Sequence, residues 1–222
     1  MGRRVSAKKR KKYWITVYAP EIFGGKDRPL TKVLYSNIEN LINRIVVVKG
    51  GDLLGSYDPE DRGMSLYFRI IRVTPGGAHT AFIGHEYSNE IILSKVRRRM
   101  TKIETIMRVY TNDGHRVKVS VLAMTTQRCH ERHEKAIRKL IEDYIKNKAK
   151  DHDYEEFLYN LVITKKWHPE IIDMTNKIYP LREFMVYKTR VETLIIDKDE
   201  IPNRIEGEEE ILKMSESYVV RK

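Results

Sequence analysis

The residue types best suited to binding chemistry are three consecutive arginines, Arg97, Arg98 and Arg99, which form the arginine cluster. Lys95 and Lys102 flank this cluster, and few acidic residues lie near it in the sequence. Each guanidinium is a planar fork of N–H donors that matches the geometry of phosphate oxygens. The cluster therefore indicates a polyanion as its partner. An ordinary solvated loop is the alternative, but we favour RNA because a neighbouring hairpin would hold the charges in place.

A second basic run occupies residues 3–12, with seven basic side chains and no acidic one. Such a block repels itself and stays extended until an anionic partner neutralises it. We therefore predict a basic N-terminal arm over residues 1–12, although a solvated tail or a nuclear localisation signal is the alternative. The arm residues predicted to contact RNA are Arg3, Arg4, Lys8, Lys9, Arg10, Lys11 and Lys12. Trp14 is also included as a candidate RNA contact because it could stack on a base, although a tryptophan that starts a strand is more often in the core.

Three further cations complete the predicted RNA-binding set: Arg128, Arg138 and Lys139. Arg138 and Lys139 lie largely off the apolar stripe of a helix that is predicted from Ile137, Leu140, Ile141, Tyr144 and Ile145. Cations on the solvated side of a helix are available to a polyanion.

The segment from Cys129 to Glu134 contains the candidates for metal or catalytic chemistry. The zinc-protease motif places its histidines four residues apart around a glutamate base, whereas His130 and His133 are three apart. A weak surface metal site at Cys129, His130 and His133 lacks a fourth ligand in view, so a solvated helical turn is the favoured interpretation. No base or triad pattern accompanies the cysteine. We therefore predict no catalytic residue, no metal, no cofactor and no enzyme.

The composition supports a basic globular protein. The chain has 222 residues, a hydrophobic fraction of 41% and a formal net charge of +11, which favours nucleic acid as a partner. A single cysteine fits a reducing compartment. No apolar run has the length of a membrane span, and no secretory signal is evident. We therefore expect a cytoplasmic protein with no membrane partner and no small-molecule substrate.

The hydrophobic pattern predicts an α+β fold. We expect strands near residues 30–35, 43–49, 65–73, 78–85, 103–110 and 115–123, then three helices, then a strand over residues 182–191. Gly50-Gly51 is expected to break the second of these strands, which would resume at Leu53-Leu54. Asp153 and Glu156 predict a capping box at the start of the second helix, and Pro169 predicts the start of the third. Asn112-Asp113-Gly114 predicts a hairpin turn because Asp-Gly supplies the positive φ such turns need. Many short strands suggest a β-barrel-like antiparallel or mixed sheet core with C-terminal helices. From Glu192 to Glu210 acids outnumber bases eight to two, which predicts an acidic C-terminal tail.

These elements predict one α+β domain over residues 13–194, flanked by the arm and by an acidic tail over residues 195–222. Within the domain, residues 13–124 are expected to be mainly β and residues 125–180 mainly helical. Residues 181–194 would form a returning strand.

Several segments in order resemble one family, the small-subunit ribosomal protein shared by archaea and eukaryotes that is called S-three-Ae or eS-one. The segments are KKYW at 11–14, VYAP at 17–20 with Phe23, RRR at 97–99 with KIE at 102–104, VYTNDG at 109–114, AIRK at 136–139 and IYPLR at 178–182. Their order and spacing are similar over roughly residues 8–194. The absence of a long C-terminal extension favours an archaeal member.

This resemblance implies a structural constituent of the small ribosomal subunit that acts in translation. It implies binding to small-subunit rRNA and to neighbouring ribosomal proteins on the platform, with mRNA nearby, and it implies no catalysis. A free-standing RNA-binding factor of translation or RNA processing is the alternative. A metal-dependent nuclease is a third hypothesis, which would require convergent Asp, Glu or His side chains.

Overall fold

The computed structural model describes residues 12–24, 28–194, 202–205, 207 and 211. These residues form eight strands and six α-helices, so the predicted α+β class is confirmed. The strands are β1 Tyr13–Tyr18, β2 Pro29–Tyr35, β3 Ile45–Lys49, β4 Met64–Thr74, β5 Gly77–Tyr87, β6 Lys102–Tyr110, β7 Arg116–Thr125 and β8 Leu181–Val191. The helices are α1 Gly50–Leu54, α2 Pro59–Arg62, α3 Asn89–Lys95, α4 Glu131–Asp151, α5 Tyr154–Leu158 and α6 His168–Asn176. Arm residues 1–11 and most of the acidic tail lie outside the described residues.

The described chain forms two compact units. The first comprises residues up to 45, residues 69–81 and the described residues after 196. In it, β1 pairs antiparallel with β2 and parallel with the start of β5, where Val17 lies opposite Ala78. Val17 and Ala78 are fully buried, as are Leu41 and Val73, which form the core of this unit.

The second unit comprises residues 46–68 and 82–195 and carries the arginine cluster. Its sheet consists of β6, β7 and β8 in antiparallel order, and β8 also pairs with the end of β5. β6 and β7 stay in register from the Lys102–Met124 pair to the Tyr110–Arg116 pair. The turn between them holds Gly114 at φ 78, so the predicted Asp-Gly hairpin is confirmed.

One face of β6 is covered by α4 and the other is exposed. The burial of β6 alternates strictly, with Ile103 and Val109 buried between exposed residues. α4 packs against β6 and buries Ile137, Ile141 and Ile145, which follow the helical repeat predicted from the sequence. The opposite side of the sheet, which includes exposed Lys102 and Tyr110, is the outer face. On β7 the same side is buried at Ser120, Leu122 and Met124, so the outer face is open to a partner mainly near the hairpin turn. There Arg108 is exposed and Lys118 is half-buried.

The structure departs from the sequence predictions at three points. The strand β3 ends before Gly50-Gly51, as predicted, but Leu53 and Leu54 belong to α1 and not to a resumed strand. The short helices α2 and α3 were not predicted because they have too few residues to show a helical period. The predicted capping box at Asp153 makes no side-chain bond. The carboxylate of Asp113, in the hairpin turn, instead accepts the N–H of Tyr154 at 3.2 Å.

The barrel-like core is not confirmed. Among the described strands, β2 pairs only with β1 and β6 pairs only with β7, so the hydrogen bonding does not close into a ring. A closed barrel needs every strand to have two neighbours. Strand periodicity in the sequence does not specify which strands meet, and it therefore cannot distinguish an open sheet from a closed one.

Candidate nucleic-acid interface

Backbone hydrogen bonds gather three loops at the end of the sheet where β6 begins, β7 ends and β8 begins. The N–H of Thr125 donates to the carbonyl of Thr101 at 3.1 Å, and the N–H of Thr126 donates to the carbonyl of Pro180 at 3.1 Å. The N–H of Cys129 donates to Thr101 Oγ1 at 3.1 Å. The loop that bears the arginine cluster is therefore held beside residues 126–129 and 180–182.

The arginine cluster is exposed and uncompensated. Arg97, Arg98 and Arg99 are all exposed, and none forms an ion pair with another residue in the described part of the chain. Arg99 has a φ of 64°, in the left-handed region that disfavours a side chain. Such backbone strain persists only where the surrounding structure imposes it. The hydrogen bonds of Thr101 with Thr125 and Cys129 anchor the chain two residues after Arg99.

The tertiary structure adds one arginine that the sequence analysis did not select. Arg182 is exposed at the start of β8, and its Nη1 lies 3.8 Å from the sulfur of Met100, the residue that follows the cluster. Arg128 is exposed on the adjacent loop, where its carbonyl accepts the hydroxyl of Tyr179 at 3.0 Å. The IYPLR segment contains Arg182, but only the tertiary structure shows that this residue lies beside the loop of the cluster.

Lys95 is already engaged by two carboxylates. Its ammonium contacts Glu60 and also Glu183, the latter at 2.5 Å. Burial opposes the charge of Lys95, but the hydrogen bonds that its ammonium donates to Glu183 and Glu60 raise its pKa overall. The hydrogen bond from Lys95 is the main cause that lowers the pKa of Glu60, which Lys165 also contacts at 3.1 Å. Lys95 therefore ties α3 to α2 and β8 and brings little free charge to an RNA surface.

The other predicted cations differ in how far they are paired. Lys102 lies 3.4 Å from Glu104, and Arg138 lies 3.4 Å from Glu134. Lys139 is exposed on α4 and has no ion pair among the described residues. Surface ion pairs of this kind contribute little to stability and release their cations readily to a polyanion.

The segment with two histidines forms part of the packing of α4. The ring of His133 lies 5.7 Å from that of Tyr179 at an angle of 36°. No group of three His, Cys, Asp or Glu residues within the described ranges is arranged to hold a metal ion. The nuclease hypothesis therefore gains no support from the described residues.

The first unit carries the remaining predicted residues, Lys12 and Trp14. Trp14 is 43% exposed, so the interpretation that it lies in the core was wrong, and its contact with RNA stays a prediction. Lys12 is exposed and lines a shallow cavity of about 270 Å³ together with Asn37, Asn40 and Arg44. Arg3, Arg4, Lys8, Lys9, Arg10 and Lys11 lie outside the described residues, so their contacts stay predictions.

The described helices give no membrane span, since none of them is both long and apolar enough to cross a bilayer.

Comparison with known proteins identifies the family. The chain is 35% identical over 198 residues to the small ribosomal subunit protein eS1 of Desulfurococcus amylolyticus, covering 89% of this chain and 90% of the relative. It is 33% identical to the protein of that name from Saccharolobus islandicus, covering 86% and 89% of the two chains. It is 34% identical to that of Staphylothermus marinus, covering 81% and 82%. These relatives are archaeal, as the sequence resemblance predicted.

A model of the Ribosomal S3Ae family matches residues 2–194, which include every predicted RNA-binding residue. The chain therefore belongs to the Ribosomal S3Ae family, whose members are structural ribosomal components and not enzymes.

Proposed function

We propose that this protein is a structural constituent of the small ribosomal subunit that binds rRNA through the end of the sheet bearing Arg97, Arg98 and Arg99. The observation that carries the proposal is that these three exposed guanidiniums have no acidic partner among the described residues. Exposed Arg128 and Arg182 extend the same surface. Unpaired guanidiniums bind phosphates without first breaking an internal ion pair.

The form of the surface favours recognition of RNA shape. A-form RNA has a deep, narrow major groove that side chains cannot read, so proteins contact its phosphates and 2′-hydroxyls. Phosphate contacts position a protein on RNA and do not read the base sequence. A cluster of arginines next to the hydrogen-bonded Thr101 is suited to such contacts. The relatives are named as small ribosomal subunit proteins, which supports rRNA as the polyanion.

The wider assignment rests on family membership. The protein would lie on the platform near the mRNA exit, bound to the ribosome in the cytoplasm, with neighbouring ribosomal proteins as further partners and no small-molecule substrate. The basic arm of residues 1–12 would thread between RNA helices and order on binding. The acidic tail of residues 195–222 would either repel incorrect RNA or dock on a basic neighbouring protein.

Sedimentation tests the proposal directly. Cell extract is run on a sucrose gradient in moderate salt, and the fractions are probed for this protein and for a known small-subunit protein as the reference. We expect the protein to migrate with small subunits at a constant ratio to the reference. Migration near the top of the gradient would instead support the free-standing RNA-binding factor, because a loosely bound protein leaves in moderate salt.

A further inference from the structure

The outer face of the β6–β7–β8 sheet carries a row of three cations at directly opposing positions. Arg108 on β6 lies opposite Lys118 on β7, and Lys118 lies opposite Arg190 on β8. Adjacent strands are about 4.8 Å apart, so the row spans roughly 10 Å. Like charges at directly opposing positions destabilise a sheet. The row is therefore unfavourable in the isolated protein and indicates an anionic partner.

The carboxylates on this face do not neutralise the row. Glu192 serves both Arg108, at 3.3 Å, and Arg116, at 2.6 Å. Lys118 and Arg190 have no ion pair within the described part of the chain. The other acids on this face are occupied elsewhere. Glu104 contacts Lys102 and Tyr187, Glu86 contacts Lys188, and Glu183 contacts Lys95. The outer face therefore carries an excess of positive charge centred on the row.

Two apolar side chains stand beside the row on the same strand. Ile106 is 56% exposed and Tyr110 is 62% exposed, and each is two residues from Arg108 on the same side of β6. An exposed aromatic ring beside cations is the arrangement that binds single-stranded RNA, because bases stack on the ring while phosphates meet the cations. A protein partner is less suitable, since the centres of protein interfaces are depleted of charged residues.

We propose that the outer face binds unpaired RNA, with phosphates along Arg108, Lys118 and Arg190 and a base on Tyr110. This inference rests on the proposed function and adds a second RNA surface to it. The arginine cluster precedes Lys102, at the opposite end of β6 from Tyr110. Because a strand advances about 3.4 Å per residue, the two ends of β6 are separated by roughly 27 Å. The row and the cluster are therefore two separate positions on this sheet.

The first experiment uses the full chain and the double variant Lys118→Gln with Arg190→Gln. The matched control, Lys135→Gln with Lys146→Gln, removes the same charge from exposed cations of α4 that each pair with a glutamate. Binding of a single-stranded uridylate dodecamer is measured over a salt series. We expect the slope of log affinity against log salt to fall by about 1.4 in the sheet variant, at about 0.7 per lost phosphate. The control slope should stay at the wild-type value.

The second experiment tests the stacking contact. Tyr110→Ala should weaken binding of the uridylate dodecamer by roughly five- to hundredfold and leave binding of an RNA duplex of the same length unchanged. Tyr110→Phe should restore the affinity, because it keeps the ring and removes only the hydroxyl. In reconstituted small subunits that contain 4-thiouridine, Tyr110 should cross-link to an unpaired uridine. This measurement uses the wild-type protein and so does not depend on the folding of any variant.

The outcomes separate this inference from the proposed function. The arginine-cluster variant carries Arg97→Ala, Arg98→Ala and Arg99→Ala, and the sheet variant is Lys118→Gln with Arg190→Gln. If the arginine-cluster variant loses rRNA affinity while the sheet variant matches its control, the second surface is wrong and the proposed function stands. If neither variant differs from its control, both are wrong. If the sheet variant keeps the wild-type affinity for RNA but loses the wild-type affinity for polyglutamate, the outer face binds an acidic protein and the RNA proposal is overturned. If Tyr110→Ala weakens duplex and single strand equally, the stacking role is refuted.

Discussion

Removing the arginine cluster is the most direct test of the proposed interface. The variant carries Arg97→Ala, Arg98→Ala and Arg99→Ala in the full chain. All three side chains are exposed and without an acidic partner in the described residues, so each is free to neutralise one phosphate. At about 0.9 per phosphate, losing three contacts with structured rRNA lowers the slope of log affinity against log salt by roughly 2.7.

The slope converts into a measurable difference in affinity. Raising salt from about 50 to about 200 mM changes its logarithm by about 0.6, so wild-type affinity should fall roughly 40-fold more than that of the variant. Filter binding or fluorescence anisotropy with purified small-subunit rRNA measures this over a salt series. Lys135→Ala, Lys146→Ala and Lys150→Ala together form the control, since they remove equal charge from exposed positions on α4.

The fold of the triple variant should persist. Substitutions of exposed side chains that lack partners usually change the free energy of unfolding by less than about 0.5 kcal/mol. Urea unfolding of the variant and of the control checks this. An unfolded variant would show that the cluster is structural, and a salt slope equal to that of the control would refute the assignment of these arginines to RNA.

Three further predictions concern the second unit. Burial lowers the pKa of His85 to about 4, so below pH 6.5 the unfolded chain binds a proton that the folded chain does not, and stability is lost as the pH falls towards 4. His85 accounts for a loss of about 3 kcal/mol in the free energy of unfolding. In His85→Gln, the free energy of unfolding measured with urea should therefore depend less on pH. A pH profile equal to that of the wild type would contradict this. A Cβ at Gly84, whose φ is +147°, would lie 2.1 Å from a backbone oxygen of β8. Gly84→Ala should therefore lower the free energy of unfolding by more than about 3 kcal/mol. Gly114 has a φ of +78° and open space around it, so Gly114→Ala should lower the free energy of unfolding by only about 1 kcal/mol. Equal costs would refute the close approach. Lys118→Gln with Arg190→Gln should raise the Tm of the free protein, because it removes opposing like charges worth roughly 0.2–1 kcal/mol each, and a lower Tm in calorimetry would mean that these cations stabilise the sheet.

Local patterns in the sequence predicted the elements that depend on near neighbours. The β6–β7 hairpin followed from alternation around Asp113-Gly114, and α4 followed from apolar residues repeating at helical spacing. The helix α6 begins at His168 with Pro169 in its first turn, as predicted. In each case the signal lies within about ten residues, so no knowledge of distant contacts was needed.

Features that depend on distant contacts were not predictable. The cap of α5 comes from Asp113, 41 residues away, and not from Asp153. The ion pairs of Lys95 could not be predicted because its two carboxylate partners, Glu60 and Glu183, are far from it in the sequence. The exposure of Trp14 depends on which side of β1 is covered, which the strand pattern leaves open.

The sequence by itself determined the α+β class, the hairpin, the basic character and the family. The tertiary structure alone decided which cations are free: it paired Lys95 with acids, left Arg97, Arg98 and Arg99 open, and brought Arg182 beside them. It also aligned Arg108, Lys118 and Arg190 in one row. The physical reason is that electrostatic interaction depends on distance in space, and strand register fixes those distances between residues separated by many positions in the chain.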